Sequence, residues 1–473
     1  MLERSIEDRP ADVVERLLDL HPRVVGLSVY IWNAEPMLAI ARLLRALRPD
    51  IVVVVGGPEV SHELDEQELT SLAHHIIKGE GEDAFRNLCE HLLRERPSLA
   101  LLPPRIIEGG SPDLQTLAAP YRLYDDVDLK DRVVYVEASR GCPFTCEFCL
   151  SSLDEKVRSF PLDAFLAEMQ GLLDRGLRTF KFIDRTFNLK IETTERIIQF
   201  FLDRMTAGLF VHFEMVPDRL PESLRALLAR FPAGAVQLEV GIQTFDTETG
   251  IRIRRKQDVA KLEDNILFLR RETGVHIHAD LIVGLPGEDL ASFARGFDRL
   301  LALDPNEIQI GILKRLRGTP IARHTVDHAM VYSGAPPYEV LQTGALSFSE
   351  VQRMKRFARF FDLVKNNGRF PSTSKLLLHT GDRSFWAFLA FSDWLFAETA
   401  TRHGIALARL AELLARYLVQ ERGFDVDLVA AALQADLGRD RVPAALLTVP
   451  ARQRRHLTRK QHRDRDDVDV DVG

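Results

Sequence analysis

The chain has 473 residues, of which 46% are hydrophobic and 28% charged, and its formal net charge is −7. A chain of this length can form two or three domains with a substantial core, and its charge balance predicts no general attraction to nucleic acid or to anionic membranes. We find no apolar run long enough to span a bilayer, and the acidic residues near the start argue against a signal peptide.

Cysteine is rare, with four residues in the whole chain, and three of these lie close together. This usage fits a reducing compartment and not a disulfide scaffold, so we predict a cytoplasmic protein. The order of the predicted elements divides the chain into four parts. We predict an N-terminal domain over residues 1–120, a barrel over 121–325, a helical domain over 326–450 and a charged tail over 451–473.

The first part alternates strands and helices. Apolar runs predict strands at 24–30, 51–57 and 75–81, and helices at 11–20, 36–47 and 84–94. This pattern favours a Rossmann-like parallel sheet covered on both faces. Ligands of such sheets bind at the carboxyl ends of the strands, where the sequence has the small residues Ser28, Gly56, Gly57 and Gly79. Cys89, on the apolar side of the last helix, is predicted to be a buried core thiol.

A second α/β region follows residues 95–131, whose prolines and glycines predict a linker. Strands are predicted at 133–139, 179–184, 211–216, 236–243, 276–283 and 307–313. Helices are predicted at 161–175, 191–206, 221–230, 257–272 and 288–302. Six β/α units indicate a partial TIM-type barrel, in which chemistry is expected at the carboxyl ends of the strands.

Three cysteines follow the first strand of this barrel: Cys142, Cys146 and Cys149, in the run RGCPFTCEFCL. Gly141 and Pro143 disfavour a helix, so the run is predicted to be a loop. Three neighbouring thiolates suit a soft metal centre, and in a four-iron cubane they leave one iron open to a substrate. A three-cysteine zinc site or a redox thiol cluster is the alternative. The next histidine, His212, lies too far away for metal-finger spacing.

The barrel strands alternate between an apolar and a polar face. The apolar set must pack under the helices, so the polar set is predicted to line the interior. Several polar groups converging on one interior need partners, because buried polar groups are rarely left unpaired. We predict a ligand-holding interior in which Asp184, Glu214 and Glu239 accept hydrogen bonds from a polar, partly cationic ligand.

The C-terminal part is predicted to be all-α, with helices at 351–364, 385–403 and 405–421. The aromatic residues of its second helix are predicted to be core, with a substrate mouth as the alternative; they are Trp386, Phe388, Phe391, Trp394 and Phe396. The final run changes from basic to acidic, and such runs predict a solvated, disordered tail.

The cysteine spacing, with Phe148 just before the last cysteine, resembles the signature of the radical S-adenosylmethionine (SAM) enzymes. That resemblance implies a 4Fe–4S cluster held by Cys142, Cys146 and Cys149. It implies that the open iron chelates the amino and carboxylate groups of SAM, and that one electron cleaves SAM to a 5′-deoxyadenosyl radical.

Four further segments are similar to SAM-binding segments of the superfamily. KFIDRTFN implies that Asp184 contacts the SAM amino group, and EVGIQTFD implies that Glu239 holds the ribose. RRKQD implies that Arg255 pairs with the SAM carboxylate. DLIVGLPGE implies that Ile282 and the backbone reaching Gly284 receive the adenine, and it leaves the role of Glu288 open.

The N-terminal stretch GLSVYIWN…VVVVGGPEVS…IIKGEGE resembles the distal part of a cobalamin-binding domain. The first strand and loop of that domain type, where a histidine can ligate cobalt, would then lie before Met1. A Rossmann-like scaffold that holds no cofactor is the alternative. The segments LKRLRGT and NNGRFPSTSKLL, with the C-terminal helices, resemble a domain of unknown function found in cobalamin-associated radical SAM proteins.

These resemblances imply a radical SAM enzyme with a small-molecule substrate and a reductant such as a flavodoxin or ferredoxin. Methyl transfer to an unactivated carbon through cobalamin is the first expectation. Radical rearrangement or ring closure without cobalamin is the second, and a cobalamin-responsive or redox sensor without turnover is the third. No nucleic-acid or membrane partner is predicted.

Overall fold

The computed structural model describes residues 2–93, 103–378 and 383–438. Its N-terminal region contains a parallel sheet, whose strands in spatial order are β1 (Val24–Ser28), β2 (Val52–Gly56), β3 (His75–Lys78) and β4 (Ile106–Glu108). The helices of this region are α1 (Pro10–Asp19), α2 (Ala34–Leu47), α3 (Glu68–Leu72) and α4 (Glu82–Leu93).

Alternate valines of β2 face opposite sides of this sheet. Val53 and Val55 pack into one cluster with apolar residues of α1, α2 and α3, whereas Val54 packs with Leu88 of α4. Both faces of the sheet are therefore covered, as the near-continuous apolar strands predicted. Cys89 of α4 is only half-buried, so the prediction of a buried core thiol was wrong.

The predicted linker contains regular structure. Within it β4 pairs in parallel with β3, and α5 (Asp126–Asp131) begins with a capping box formed by Asp125 and Asp128. The strand has only three residues and lies between Pro103-Pro104 and Gly109-Gly110, so the proline and glycine pattern concealed it. An uninterrupted linker over 95–131 was therefore a wrong prediction.

The second region contains the predicted six-stranded parallel sheet. Its strands, with a short hairpin formed by β6 and β7 after the first of them, are β5 (Val134–Val136), β6 (Ser139–Arg140), β7 (Arg158–Ser159), β8 (Thr179–Phe182), β9 (Phe210–Met215), β10 (Val236–Gln243), β11 (His276–Val283) and β12 (Glu307–Ile312). The spatial order is β12-β11-β10-β9-β8-β5, which is the order of an open partial barrel.

Helices cover the outside of this barrel. They are α6 (Leu162–Asp174), α7 (Ile191–Leu202), α8 (Glu222–Leu228), α9 (Thr247–Arg252), α10 (Val259–Glu272) and α11 (Leu290–Ala302). Burial alternates along β10 and β11 residue by residue, so one face is apolar core and the other lines the interior. Both the six units and the alternation confirm the prediction from sequence.

The C-terminal region begins with an antiparallel hairpin and continues as helices. Its elements are β13 (Val331–Tyr332), β14 (Val340–Gln342), α12 (Phe348–Phe361), α13 (Thr373–Leu378), α14 (Ser384–Thr399), α15 (Leu407–Arg416) and α16 (Val426–Leu437). The hairpin, α13 and α16 were not predicted, because each is short or carries no strong apolar period. The region is therefore mainly helical but not all-α.

The C-terminal helices share one apolar core with the barrel. The ring centroids of Phe297 on α11 and Phe357 on α12 lie 5.3 Å apart, and those of Phe293 and Phe385 lie 5.9 Å apart. Phe388 and Phe391 of α14 are fully buried in this core, whereas Trp386 is 43% exposed.

The predicted tail lies outside the described residues. Within the described ranges, no helix has the length and apolar character needed to cross a membrane.

Candidate active site

The cysteine loop is held at its neck by the hairpin of β6 and β7, which pairs Ser139 with Ser159 and Arg140 with Arg158. The Cys142 N–H donates to the carbonyl of Asp154 at 2.8 Å. Gly141 has φ +88°, and a Cβ there would collide with the carbonyl of Lys156, so only glycine fits this turn. Cys142 and Cys146 are buried and Cys149 is half-buried. The loop thus presents its sulfurs beyond the carboxyl end of β5, as predicted.

Glu147, between the second and third cysteines, clamps the middle of this loop. Its carboxylate is completely buried, forms ion pairs with Arg254 (3.0 Å) and Arg323, and shares a hydrogen bond of 2.6 Å with the Nε2 of His324. Its N–H donates to the carbonyl of Ile253 at 3.0 Å, and its carbonyl accepts from the N–H of Ile321 at 2.9 Å. The loop is therefore fastened to the segments that follow β10 and β12.

Sequence reasoning missed Glu147. A single acid between two cysteines has no period or motif of its own, and its partners are distant along the chain. The only available signal was its position inside the cysteine run.

The three cysteines line one cavity of about 230 Å³ with polar residues from four strands and their loops. Of the residues predicted to bind SAM, this cavity brings together Phe148, Glu214, Glu239 and Arg255. Within the described residues, no three His, Cys, Asp or Glu side chains are placed as ligands of a single metal ion. In a cubane each cysteine binds a different iron, so its ligands surround the site instead of meeting at one point.

Arg255 connects the cysteines with the barrel interior. Its Nη1 donates to the sulfur of Cys146 at 3.5 Å, and its Nη2 donates to the carbonyl of Gly241. The buried Nε has no hydrogen-bond partner among the described residues. A buried N–H without a partner is costly, and a ligand carboxylate would satisfy it. The placement fits the role that the resemblance implied for Arg255.

The neighbours of the two cavity glutamates shift the pKa values of their carboxyl groups in opposite directions. His212 donates its Nε2 hydrogen to Glu239 at 3.2 Å, which lowers the pKa of that carboxyl. Burial raises the pKa of Glu214, although Arg185 lies 3.1 Å away and opposes the shift. Glu239 is therefore the more firmly charged acceptor of the two.

A charged network lies below this cavity, deeper in the barrel. Burial alone would lower the pKa of His278, but hydrogen bonds to Asp280 and Glu307, each at 3.2 Å, raise it to about 10. Hydrogen bonds from His276 and His278 lower the pKa of Glu307 to about 2. Asp280 also lines the cavity wall, so the network connects the interior with the ligand space.

Asp184 is not brought into the cavity. Its two carboxylate oxygens accept from the Ala138 N–H at 3.0 Å and from the Ser139 hydroxyl at 2.6 Å, and burial raises its pKa to about 6. These bonds brace the residues that lead into the cysteine loop. The structure therefore gives Asp184 a supporting place at the neck of the loop, and its contact with the SAM amino group stays a prediction.

Ile282 and Gly284 also lie outside the first cavity. Ile282 lines a second cavity of about 500 Å³, which shares Phe148, Gln243 and Asp280 with the first and so adjoins it. Gly284 has φ +89°, and a Cβ there would lie 2.5 Å from Val340 Cγ1. Its glycine is explained by packing against β14. Glu288, whose role was open, is buried and accepts from the Thr244 hydroxyl at 2.7 Å.

The carboxyl edge of the N-terminal sheet carries Ser28, Gly56, Gly57 and Gly79, at the ends of β1 to β3. In the loop after β1, Tyr30 (41% exposed) and Trp32 (64% exposed) stack with ring centroids 5.6 Å apart. The exposed aromatic pair offers apolar surface to a flat macrocycle such as cobalamin, and a Cβ at Gly79 would meet only the Gly110 carbonyl, at 3.9 Å, whereas a Cβ at Gly57 would collide with the Val29 carbonyl.

Two groups of ion pairs join this edge to the barrel near the cysteine loop. Glu80, just after β3, pairs with Arg140 (2.6 Å) and Arg158 at the neck of the loop. On the other side, Arg317 pairs with Glu59 (2.9 Å) and Glu63 (3.0 Å). The carboxyl edge of the N-terminal sheet therefore faces the barrel residues that hold the cysteines.

Three family models match successive parts of the chain. The B12 binding domain matches residues 1–89, the Radical SAM superfamily matches residues 136–300, and a Protein of unknown function (DUF4080) matches residues 326–464. The order agrees with the three regions of the fold.

The chain is also similar to curated proteins and to solved structures. The 2-(S-pantetheinyl)-carbapenam-3-carboxylate methyltransferase of Streptantibioticus cattleyicolor is 26% identical over 60% of this chain and 46% of its own length. The chain thus spans about half of that relative. The cobalamin-dependent SAM radical enzyme OxsB with aqua-cobalamin bound has a TM-score of 0.61 at 14% identity, covering 96% of this chain and 77% of OxsB.

The radical SAM methyltransferase TsrM of Kitasatospora setae, with cobalamin and a 4Fe–4S cluster bound, has a TM-score of 0.52 at 17% identity, covering 68% of this chain and 67% of TsrM. At these identities the structural likenesses establish the fold. The radical SAM match implies a 4Fe–4S cluster and SAM, and the B12 match implies cobalamin. The chain therefore carries a Radical SAM domain over residues 136–300, with a B12-binding domain before it and a DUF4080 region after it.

Proposed function

We propose that the chain is a radical SAM enzyme that cleaves SAM reductively and transfers a methyl group, with the help of cobalamin, to an unactivated carbon of a small molecule. When bound, the cluster supplies the electron that divides SAM into methionine and a 5′-deoxyadenosyl radical, and cobalamin supplies a transferable methyl group. The named methyltransferases among the relatives support this proposal.

One observation carries the proposal: ion pairs join the neck of the cysteine loop to the carboxyl edge of the N-terminal sheet. Arg140 and Arg158 at the neck of the cysteine loop bind Glu80, which directly follows β3. This arrangement supports a cobalamin at the N-terminal edge close to a cluster on the cysteine loop. A methyl transfer that uses both groups needs them to approach one substrate.

The residues of the chain would orient SAM within this space. Cys142, Cys146 and Cys149 would hold three irons, and Arg255 would bind the SAM carboxylate through its unpartnered N–H. Glu239, kept ionised by His212, would accept from the ribose hydroxyls. Phe148 lines both cavities and would pack against the nucleoside. Asp184 would position the loop through Ala138 and Ser139.

The first experiment tests SAM cleavage. Protein purified anaerobically, reconstituted with iron and sulfide and reduced with dithionite is given SAM, and 5′-deoxyadenosine is measured. We expect its release by the wild-type chain. A cluster that forms and is perturbed by SAM, but gives no 5′-deoxyadenosine, would support the sensor in place of the enzyme.

The second experiment tests the role of cobalamin. The protein is incubated with hydroxocobalamin and passed through a gel-filtration column, and the visible spectrum of the protein fraction is recorded. We expect bound cobalamin in that fraction. Cobalamin-free protein that still releases 5′-deoxyadenosine would replace methyl transfer with radical rearrangement or ring closure.

The electron donor is predicted to be a small reductant protein such as a flavodoxin or ferredoxin.

A further inference from the structure

A third cavity, the β5 cavity, has a volume of about 460 Å³ and lies beside the first strand of the barrel. Its walls include β5, the start of α6, the segment 114–121 and the first residue of α4. β5 is the end strand of its sheet, so within the described chain one of its edges faces no other strand. The β5 cavity shares no residue with the two cavities described above. A ligand bound here would therefore be separate from the predicted cluster and SAM.

Aromatic rings form much of the wall of the β5 cavity. Tyr135 comes from β5, Phe165 from α6, Tyr121 from the segment before α5, and Phe160 from the residue after β7. The Tyr121 hydroxyl accepts from the Glu137 N–H at 3.0 Å, which fixes this ring beside the end of β5. Tyr135 is 51% exposed, so part of the aromatic surface is open to a ligand. The faces of such rings attract both apolar groups and cations.

The charges of this wall are predominantly negative. Three carboxylates and one guanidinium line the cavity, and they belong to Glu82, Glu137, Glu168 and Arg140. The guanidinium is already shared by three carboxylates, those of Glu80 at 2.6 Å, Glu82 at 2.7 Å and Glu137 at 2.9 Å. Glu168 forms no ion pair with any residue that the structure describes. The wall therefore carries more negative charge than its one cation balances.

Glu137 has an acceptor that its neighbours leave unused. Its Oε2 accepts from the Nε of Arg140 at 2.9 Å, whereas its Oε1 accepts no hydrogen bond from the described chain. The side chain is 23% exposed, so a ligand can reach it. Burial raises the pKa of this carboxyl, and the charges of Glu80 and Glu82 add to that shift against the effect of Arg140. A second cation beside Oε1 would stabilise the ionised form.

We infer that the β5 cavity binds a small organic cation with an apolar body, such as an amine attached to an aromatic ring. The aromatic wall holds the body, and Glu137 and Glu168 bind the cationic group. An anion of the same shape is disfavoured, because it would face three carboxylates and a guanidinium whose charge is already shared. The inference assigns a ligand site outside the space of the predicted cofactors.

The test uses two fluorescent probes of nearly the same shape. Dansylcadaverine carries a primary ammonium group at pH 7, and in N-hexyldansylamide a methyl group replaces that amine. Both are titrated into the full chain and into the variant E137Q/E168Q, and the dansyl emission measures binding. The matched control is E192Q/E272Q, which removes two charges from exposed positions of α7 and α10 that do not line the cavity.

We expect the wild-type chain to bind dansylcadaverine more tightly than the neutral probe. The variant E137Q/E168Q should bind dansylcadaverine about fivefold more weakly, as the loss of a partly exposed ion pair predicts. Its affinity for the neutral probe should be unchanged, and the control variant should match the wild type. Failure of the wild type to bind dansylcadaverine, equal affinities for the two probes, or an equal loss in both double variants would overturn the inference.

A second pair of variants locates the bound probe. Ala164→Trp places an indole ring into the β5 cavity from the first turn of α6, whereas Ala167→Trp adds the same ring at an exposed position of that helix outside the cavity. We expect Ala164→Trp to weaken the binding of both probes and Ala167→Trp to weaken neither. Equal effects of the two substitutions would place the probe elsewhere and would also overturn the inference.

The outcome is independent of the proposed function, because the dansyl probes need neither cluster nor SAM nor cobalamin. Charge-selective binding in a protein that releases no 5′-deoxyadenosine would refute the enzyme and keep the cation site. Release of 5′-deoxyadenosine without charge-selective binding would refute the cation site alone.

Discussion

Two parallel sheets in this chain present their carboxyl ends to each other, and they use their charges in opposite ways. At the barrel edge, Glu239, Arg255 and Asp280 point into a cavity with three cysteines. At the N-terminal edge the strand ends carry small residues, and the acids that follow, Glu59 and Glu80, bind the barrel. The barrel edge is thus built to orient a charged ligand. The N-terminal edge presents small residues, and its acids form ion pairs with the barrel and not with a ligand.

The largest expected effect is the loss of the cluster at the barrel edge while cobalamin binding at the N-terminal edge is retained. Cys146→Ala should abolish cluster formation and 5′-deoxyadenosine release, because only three cysteines are available for three irons. Hydroxocobalamin binding by the N-terminal edge should persist. Iron and sulfide content, product and the gel-filtered spectrum measure these three outcomes. Cys89→Ala, which removes the half-buried cysteine of α4, is the control and should retain the cluster.

The next effect tests whether the barrel edge depends on the Glu147 clamp. Glu147→Ala leaves Arg254, Arg323 and His324 without their shared carboxylate, and the loss of such charge-assisted hydrogen bonds costs about 2 kcal/mol. Urea unfolding should show this loss, and the reconstituted cluster should decay faster. Asp163→Ala removes an exposed pair with Arg196 and should cost less than about 1 kcal/mol. Equal costs for both variants would show that the clamp adds nothing.

Arg255→Lys tests at a single side chain whether the barrel edge binds SAM. A lysine cannot contact Cys146, Gly241 and a carboxylate together, so SAM should bind about tenfold more weakly, or about 1.4 kcal/mol. Equilibrium dialysis with the reconstituted protein gives the value. Arg271→Lys, at an exposed position near the end of α10, should leave SAM affinity unchanged. An unaltered affinity in Arg255→Lys would remove this residue from the SAM site.

A pH effect should arise from the barrel interior and not from the N-terminal edge. Burial opposes the charge on His278, but the carboxylates of Asp280, Glu307 and Glu239 outweigh it and raise the pKa of His278 to about 10. A raised pKa stabilises the fold fully below the unfolded value, near 6.5, and this stability is lost as pH rises through about 10.

His278→Gln should therefore flatten the pH dependence of urea unfolding between these two values. Each retained pKa unit is worth about 1.4 kcal/mol, so the difference should be measurable even if most of the shift is lost to solvent. A wild-type profile that matches the variant across this window would show that His278 is not held protonated.

The smallest effect belongs to the N-terminal edge. Trp32→Ala removes one ring of the exposed stack with Tyr30, which is worth about 1 kcal/mol or several-fold in hydroxocobalamin affinity. Trp386→Ala, at another exposed tryptophan far along the chain, is the control. A spectral titration that shows no difference would mean that this edge holds cobalamin without the aromatic pair.

Local pattern was sufficient for much of the fold. The period-two alternation of β10 and β11 and the continuous apolar run of β2 determined which faces are buried, because side chains in a strand alternate strictly. The three cysteines were visible for a similar reason, since their ligand role needs only their spacing. Short elements such as β4 and the hairpin of β13 and β14 were missed because they depend on a neighbouring strand.

The sequence by itself determined the six-unit barrel, the cysteine loop and the membership of Glu214, Glu239 and Arg255 in one cavity. Tertiary structure alone decided that Glu147 clamps the loop, that Asp184 braces its neck and that α12 lines part of the second cavity. The spacing of apolar residues along a helix or strand indicates which face of that element is buried. It cannot record which distant partner a buried charge finds, because that choice is made by packing and electrostatics once the chain has folded.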